Sequence, residues 1–133
     1  MSMPNPYQAY RQNAVNTATP GELTLMLYDG CLKFIRLAKE AINQENIEEK
    51  NKNIQKAQNI ITELMVTLDM KYEISKQIMP LYDFVRSKLI EGNVKNSVQS
   101  LEEAETIVTE FRDTWKEVIQ INRKKQTTNG GQA

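Results

Sequence analysis

Apolar residues recur at helical spacing in four successive stretches of this chain, and no run alternates in the period of two that marks a strand. The first stretch, residues 17–42, is the strongest. Thr19 is placed to cap a helix, Pro20 fits its first position, and Glu22 completes a capping box. The helix is expected to end near Asn43 or Gln44. At about 100° per residue, Leu23, Leu27, Gly30, Phe34, Leu37, Ala38 and Ala41 line one face. Leu25, Tyr28, Leu32 and Ile35 form an adjoining apolar stripe. Only Glu22, Asp29, Lys33, Arg36 and Glu40 make a polar strip, so more of the circumference is apolar than one side of a small bundle buries.

The second stretch repeats Ile47, Ile54, Ile61 and Leu68 at sevens, with Ala57 and Leu64 between, which is a coiled-coil type seam. Asn46 is its expected cap. The third runs over about 74–91, with Ile74, Ile78, Leu81, Tyr82, Val85 and Leu89 as its core face. Pro80 inside it predicts a kink or a split, and Gly92-Asn93 a stop. The fourth is capped by Asn96 or Ser97 and carries Leu101, Ala104, Val108, Phe111, Trp115, Val118 and Asn122 along one side. Gly30 on the inner face of the first helix predicts a close approach by Trp115 or Phe111.

Short connections make these helices antiparallel neighbours. The predicted fold is all-α, an antiparallel up-down four-helix bundle over residues 19–125 with a short N-terminal arm or helix. The arm covers residues 1–18, where Asn5-Pro6 can start a short helix with Tyr7 and Tyr10 on one side. Residues 126–133 are expected to be a disordered tail.

Composition narrows the function. A length of 133 residues suits one domain. The 17 basic residues balance the 17 acidic ones, which argues against a nucleic-acid partner. No apolar run is long enough to enter a membrane, and residues 1–12 lack the apolar core of a signal peptide. With one cysteine, Cys31, no internal disulfide can form, and the cytosol is the expected compartment. Histidine is absent, which removes the commonest general base and metal ligand. A di-iron bundle site needs inward glutamates and histidines; the core stripes carry neither. Cys31 has no base beside it and reads as a buried structural residue. No enzyme activity, metal or cofactor is expected.

The stripe Leu25, Tyr28, Leu32 and Ile35 then has the spacing of a groove floor for an amphipathic partner helix. Its burial offers roughly 6–12 kcal/mol, against ~2–5 kcal/mol for ordering a disordered partner. The arm is expected to cover the groove when it is empty. A homodimer through the same stripe, in a self-associating adaptor, is the competing expectation.

Beyond periodicity, the runs Asn5-Pro6-Tyr7-Gln8-Ala9-Tyr10, Val15-Asn16-Thr17-Ala18-Thr19-Pro20 and Met26-Leu27-Tyr28-Asp29-Gly30 resemble the flagellar secretion chaperone family, FliS. Residues 110–116, Glu-Phe-Arg-Asp-Thr-Trp-Lys, resemble its last helix. The likeness extends over nearly the whole chain. It implies a cytosolic helical chaperone that binds the disordered C-terminal segment of flagellin in apolar grooves, prevents premature polymerisation and presents the subunit to the flagellar type III export gate. Under that resemblance Tyr7 and Tyr10 dock the arm or meet the gate. The expected flagellin contacts, taken from the helical wheel, are Leu25, Tyr28, Leu32 and Ile35, with Phe84 and Ile107 as further choices.

Overall fold

Four helices, α1 Pro20–Asn43, α2 Ile47–Thr67, α3 Glu73–Lys95 and α4 Val98–Gln132, build the chain. The coordinates are a computed structural model that describes the backbone of residues 19–132 and the side chains of residues 19–124. Tyr7 and Tyr10 therefore lie outside the described residues. Each helix packs on the two that flank it, in the ring α1–α2–α3–α4–α1. This is the all-α up-down bundle that the short connections dictate.

The helix ends follow local chemistry. The Thr19 hydroxyl accepts the amide of Glu22 at 3.2 Å, and the Asn46 side chain accepts that of Glu49 at 3.1 Å. Ser97 caps α4, its hydroxyl accepting the Ser100 amide at 3.1 Å. Asn96 has a different task from the capping expected of it. It closes α3 in the left-handed conformation at φ 52°.

Lys50, only 5% exposed, reaches across from α2 and donates to the Asn93 carbonyl at 3.0 Å and to the Asn96 side chain. Its charge sits where the unpaired carbonyls of α3 converge, and a cation there is favourable.

Two expectations for α3 are corrected. Of the kink or split expected at Pro80, the split does not occur; α3 is continuous from Glu73 to Lys95. Pro80 is exposed, so water can bond the carbonyl of Lys76 that loses its partner. Gly92 is no stop either. It is buried, and a Cβ built there would fall 2.6 Å from Leu101 Cδ2. Glycine lets α3 and α4 close on each other beside their turn. The backbone of α4 is helical as far as Gln132.

The core takes Leu27, Tyr28, Cys31, Leu32, Phe34, Ile35 and Ala38 from α1, and Ile54, Ala57, Ile60, Ile61 and Leu64 from α2. Tyr82, Val85 and Leu89 of α3 and Leu101, Ala104 and Val108 of α4 complete it. This corrects the reading of α1. Tyr28, Leu32 and Ile35, assigned to an open groove, are 4%, 1% and 0% exposed, whereas Leu37, assigned inward, is 38% exposed. A helix between two neighbours buries a wide arc. Small residues at Cys31, Ala38, Ala57 and Ala104 let α1 sink between α2 and α4, so most of both apolar stripes is covered.

Ion pairs between helices agree with this register. Glu105 of α4 meets Lys39 at 2.7 Å and Arg36 at 3.4 Å, and Lys88 of α3 meets Glu103 at 2.9 Å. Such pairs contribute at most about 1 kcal/mol each, so they fix alignment more than stability.

Candidate functional site

Burial stops short of one end of the bundle. Leu101, Ala104 and Val108 of α4 are sealed, but Phe111, Trp115 and Val118, on the same stripe, are only half-buried. The same happens in reverse on α3. Val85 and Leu89 are sealed, Ile78 is half-buried, and Ile74 and Leu81 are exposed. The two stripes diverge where α1 begins and α2 ends, and leave a groove of about 660 Å³ between them.

Ile74, Ile78 and Leu81 make one wall of this groove, and Ile107, Phe111, Trp115 and Val118 the other. Leu64 and Leu68 close its end, with Thr24, Thr67, Gln77 and Thr114 among the polar lining. Volume and apolar lining both suit a ligand that brings large aliphatic side chains.

Three aromatic rings brace the floor. Tyr28 and Phe111 stack at 5.8 Å with 8° between their planes, and Tyr82 leans on Phe111 at 5.2 Å and 50°. The two tyrosine hydroxyls are 2.6 Å apart. Burial pushes both phenols above their ordinary value, so both stay protonated near neutrality. Trp115 is tethered at the rim, its indole N–H donating to the Gly21 carbonyl at 2.8 Å.

A second groove of about 620 Å³ runs between α1 and α2 over Gly30, Phe34, Leu37 and Ile60. Its walls are more polar. Lys33 and Lys56 lie 5.8 and 5.2 Å from the centre of the Phe34 ring, and Asp29, Glu40 and Glu49 alternate with them. Gly30 belongs here. The side chain close to it is Ile60, whose Cδ1 would lie 3.3 Å from an added Cβ; the approach expected from Trp115 or Phe111 is corrected to Ile60.

Of the residues picked from the wheel, Tyr28 and Ile107 line the α3–α4 groove. Leu25 is half-buried and Phe84 exposed, with Lys88 Nζ 5.6 Å from the Phe84 ring, and neither lines either of these two grooves. Leu32 and Ile35 are sealed in the core. The residues missed were Ile74, Ile78, Leu81, Tyr82, Phe111, Trp115 and Val118, all read as core. Their spacing carries no sign that the stripe outruns its cover. The only available signal was the length of the α4 stripe.

The α3–α4 groove lining carries two carboxylates, Asp69 and Glu110, and no cysteine. Cys31 is fully buried, its thiol 3.9 Å from the Ala57 carbonyl, and burial pushes it up to about 12. Among the described residues no group of three or more His, Cys, Asp or Glu is placed to hold a metal, and no helix is long and apolar enough to cross a membrane.

Comparison with known proteins gives one consistent result. The family model described as "Flagellar protein FliS" matches residues 3–122. The chain is 54% identical to the flagellar secretion chaperone FliS of Bacillus subtilis, over 98% of both chains. It is 34% identical to that of Escherichia coli, over 84% of this chain and 88% of the relative. A solved structure titled "Crystal structure of flagellar chaperone from bacteria" superposes with a TM-score of 0.71 at 21% identity, over 86% of this chain and 94% of that one. That likeness concerns the fold alone.

Proposed function

This chain belongs to the flagellar secretion chaperone family FliS, and on that premise we propose that it holds the C-terminal segment of flagellin in the α3–α4 groove. It does so in the cytosol, keeps the subunit from polymerising early, and delivers it to the export gate. The observation that carries this reading is the groove itself: two core stripes that run on past their cover, with the exposed Ile74 and Leu81 on one wall. Exposed apolar side chains gathered in one cleft are costly to leave wet and mark a docking site. A partner that becomes helical on binding would bury them. Leu25 and Phe84 would touch flanking parts of the segment, and Ile107 its centre.

Residues 1–18 lead into Thr19, one turn from the Thr24 rim of the groove. In this reading the arm, with Tyr7 and Tyr10, covers the cleft when no subunit is held and yields when one arrives. The freed tyrosines would then be available to the export gate. Residues 1–18 would then act as the arm and residues 19–125 as the bundle that holds the subunit.

The test uses the single tryptophan of the chain. Trp115 lines the groove, so titration with the last ~40 residues of flagellin should change its emission, with the negative heat-capacity change of coupled folding in calorimetry. Leu81→Glu, which puts a charge on the wall, should weaken binding by roughly tenfold or more. Undiminished binding by Leu81→Glu would contradict the site, and no binding by the wild-type chain would contradict the function.

A further inference from the structure

Two phenol hydroxyls facing each other own two protons but share only one contact. Tyr28 and Tyr82 are 2.6 Å apart at the hydroxyls, and either can be the donor. One proton lies between the oxygens; the accepting hydroxyl keeps its own. Neither hydroxyl makes a further hydrogen bond among the described residues. Phe111 packs against both rings and holds them in place. Both tyrosines line the α3–α4 groove, whose surroundings are Ile78, Leu81, Ile107 and Phe111. The spare proton is therefore a polar point beside these side chains, in a groove whose other polar lining is Thr24, Thr67, Asp69, Gln77, Glu110 and Thr114, and such points fix orientation in mostly apolar sites.

Resting on the chaperone reading above, we infer that the Tyr28–Tyr82 pair sets the register of the bound segment by donating its spare hydroxyl proton to one side-chain carboxamide, Asn or Gln, on the segment's apolar face. The acceptor must be a side chain, because the carbonyls of a helical segment are used within the helix. An aliphatic residue at that point would strand the proton. A carboxylate would bring a charge into an apolar cleft, which is unfavourable. A neutral amide does neither. Shifting the segment by one turn would move the amide off the hydroxyls and bring another side chain onto them, so this polar contact favours one alignment among several similar apolar ones.

The experiment is a set of double-mutant cycles by calorimetry. One side is the full chain, as wild type, Tyr28→Phe, Tyr82→Phe and the double variant. The other is the last ~40 residues of flagellin, as parent and with each apolar-face Asn or Gln changed singly to Leu. The Tyr28→Phe/Tyr82→Phe double variant should weaken parent binding by about 3- to 10-fold, whereas each single Phe variant keeps one free hydroxyl proton and should lose less. One Leu-substituted segment should weaken wild-type binding similarly and lose nothing more on the double variant. Parent binding unchanged in the double variant, or equal losses for every segment, would overturn the inference while leaving the chaperone reading in place. Failure of the wild type to bind any segment would end both. Melting curves control for folding. The Tyr28→Phe/Tyr82→Phe double variant leaves no hydroxyl stranded, and it should bind that one Leu segment at least as tightly as the parent segment.

Discussion

A side chain's chemistry in this molecule is set by what encloses it, and Cys31 is the plainest case. Its thiol is fully buried and raised to about 12 from an ordinary 9.0, so the thiolate that a disulfide reagent requires is scarce at pH 8. We predict that Ellman's reagent labels Cys31 only as fast as the native state opens, and at once in denaturant. Immediate labelling of native protein would contradict its burial. A structural role for Cys31 was legible in the sequence because no base accompanies it. The burial of Lys50 and Asn53 was not. Hydrophobic periodicity assigns polar residues to solvent, and it cannot see that Lys50 finds two oxygens at the end of α3. The neighbour of Gly30 was missed for a related reason. Which side chain faces a glycine depends on helix rotation, and the rotation in the structure sets Ile60 there.

At the level of elements, caps and spans were the readable part. Thr19, Asn46 and Ser97 all cap helices as their types suggest. Rotation about the axis was not readable for α1. Both of its stripes are apolar, so the wheel could not decide which faces inward, and the structure buries most of both. The groove therefore lies elsewhere, at the unclosed ends of the α3 and α4 stripes. Gly92 belongs to this scale as well. An added Cβ would sit 2.6 Å from Leu101 Cδ2 and 3.3 Å from the Ser97 carbonyl. Leu101 is fully buried and has little room to move. Gly92→Ala should gain up to about 1 kcal/mol of helix propensity and lose about 1–3 kcal/mol to overpacking. The expected result is a lower urea midpoint; an unchanged or higher one would mean that α3 and α4 separate at no cost.

For the molecule as a whole, stability should fall on both sides of neutrality. Glu91 is held down to about 2 from an ordinary 4.5, by Lys88 first and then Lys95. A lowered folded-state value stabilises above the unfolded one, so this contribution is lost as pH falls from 4.5 towards 2. Cys31, Tyr28 and Tyr82 are raised by burial. Their contribution is complete below the ordinary values of 9.0 and 10.0 and is lost as pH rises beyond them. Thermal melting against pH should show a plateau with two falling limbs, and Glu91→Gln should flatten the acid limb alone. Equal acid limbs would mean that the Lys88 and Lys95 contacts to Glu91 contribute nothing in solution. The bundle and its family were legible in the sequence, because caps, short turns and apolar repeats act locally. Where the bundle stays open was not, because that depends on how far four stripes overlap in space. The account turns on that opening, and photo-crosslinking addresses it directly. A benzophenone residue is placed at position 81 in the α3–α4 groove or at position 37 over the α1–α2 groove, and the flagellin C-terminal segment is added. The account predicts a strong adduct from position 81, reduced by Ile107→Glu; an adduct from position 37 with none from position 81 would contradict it.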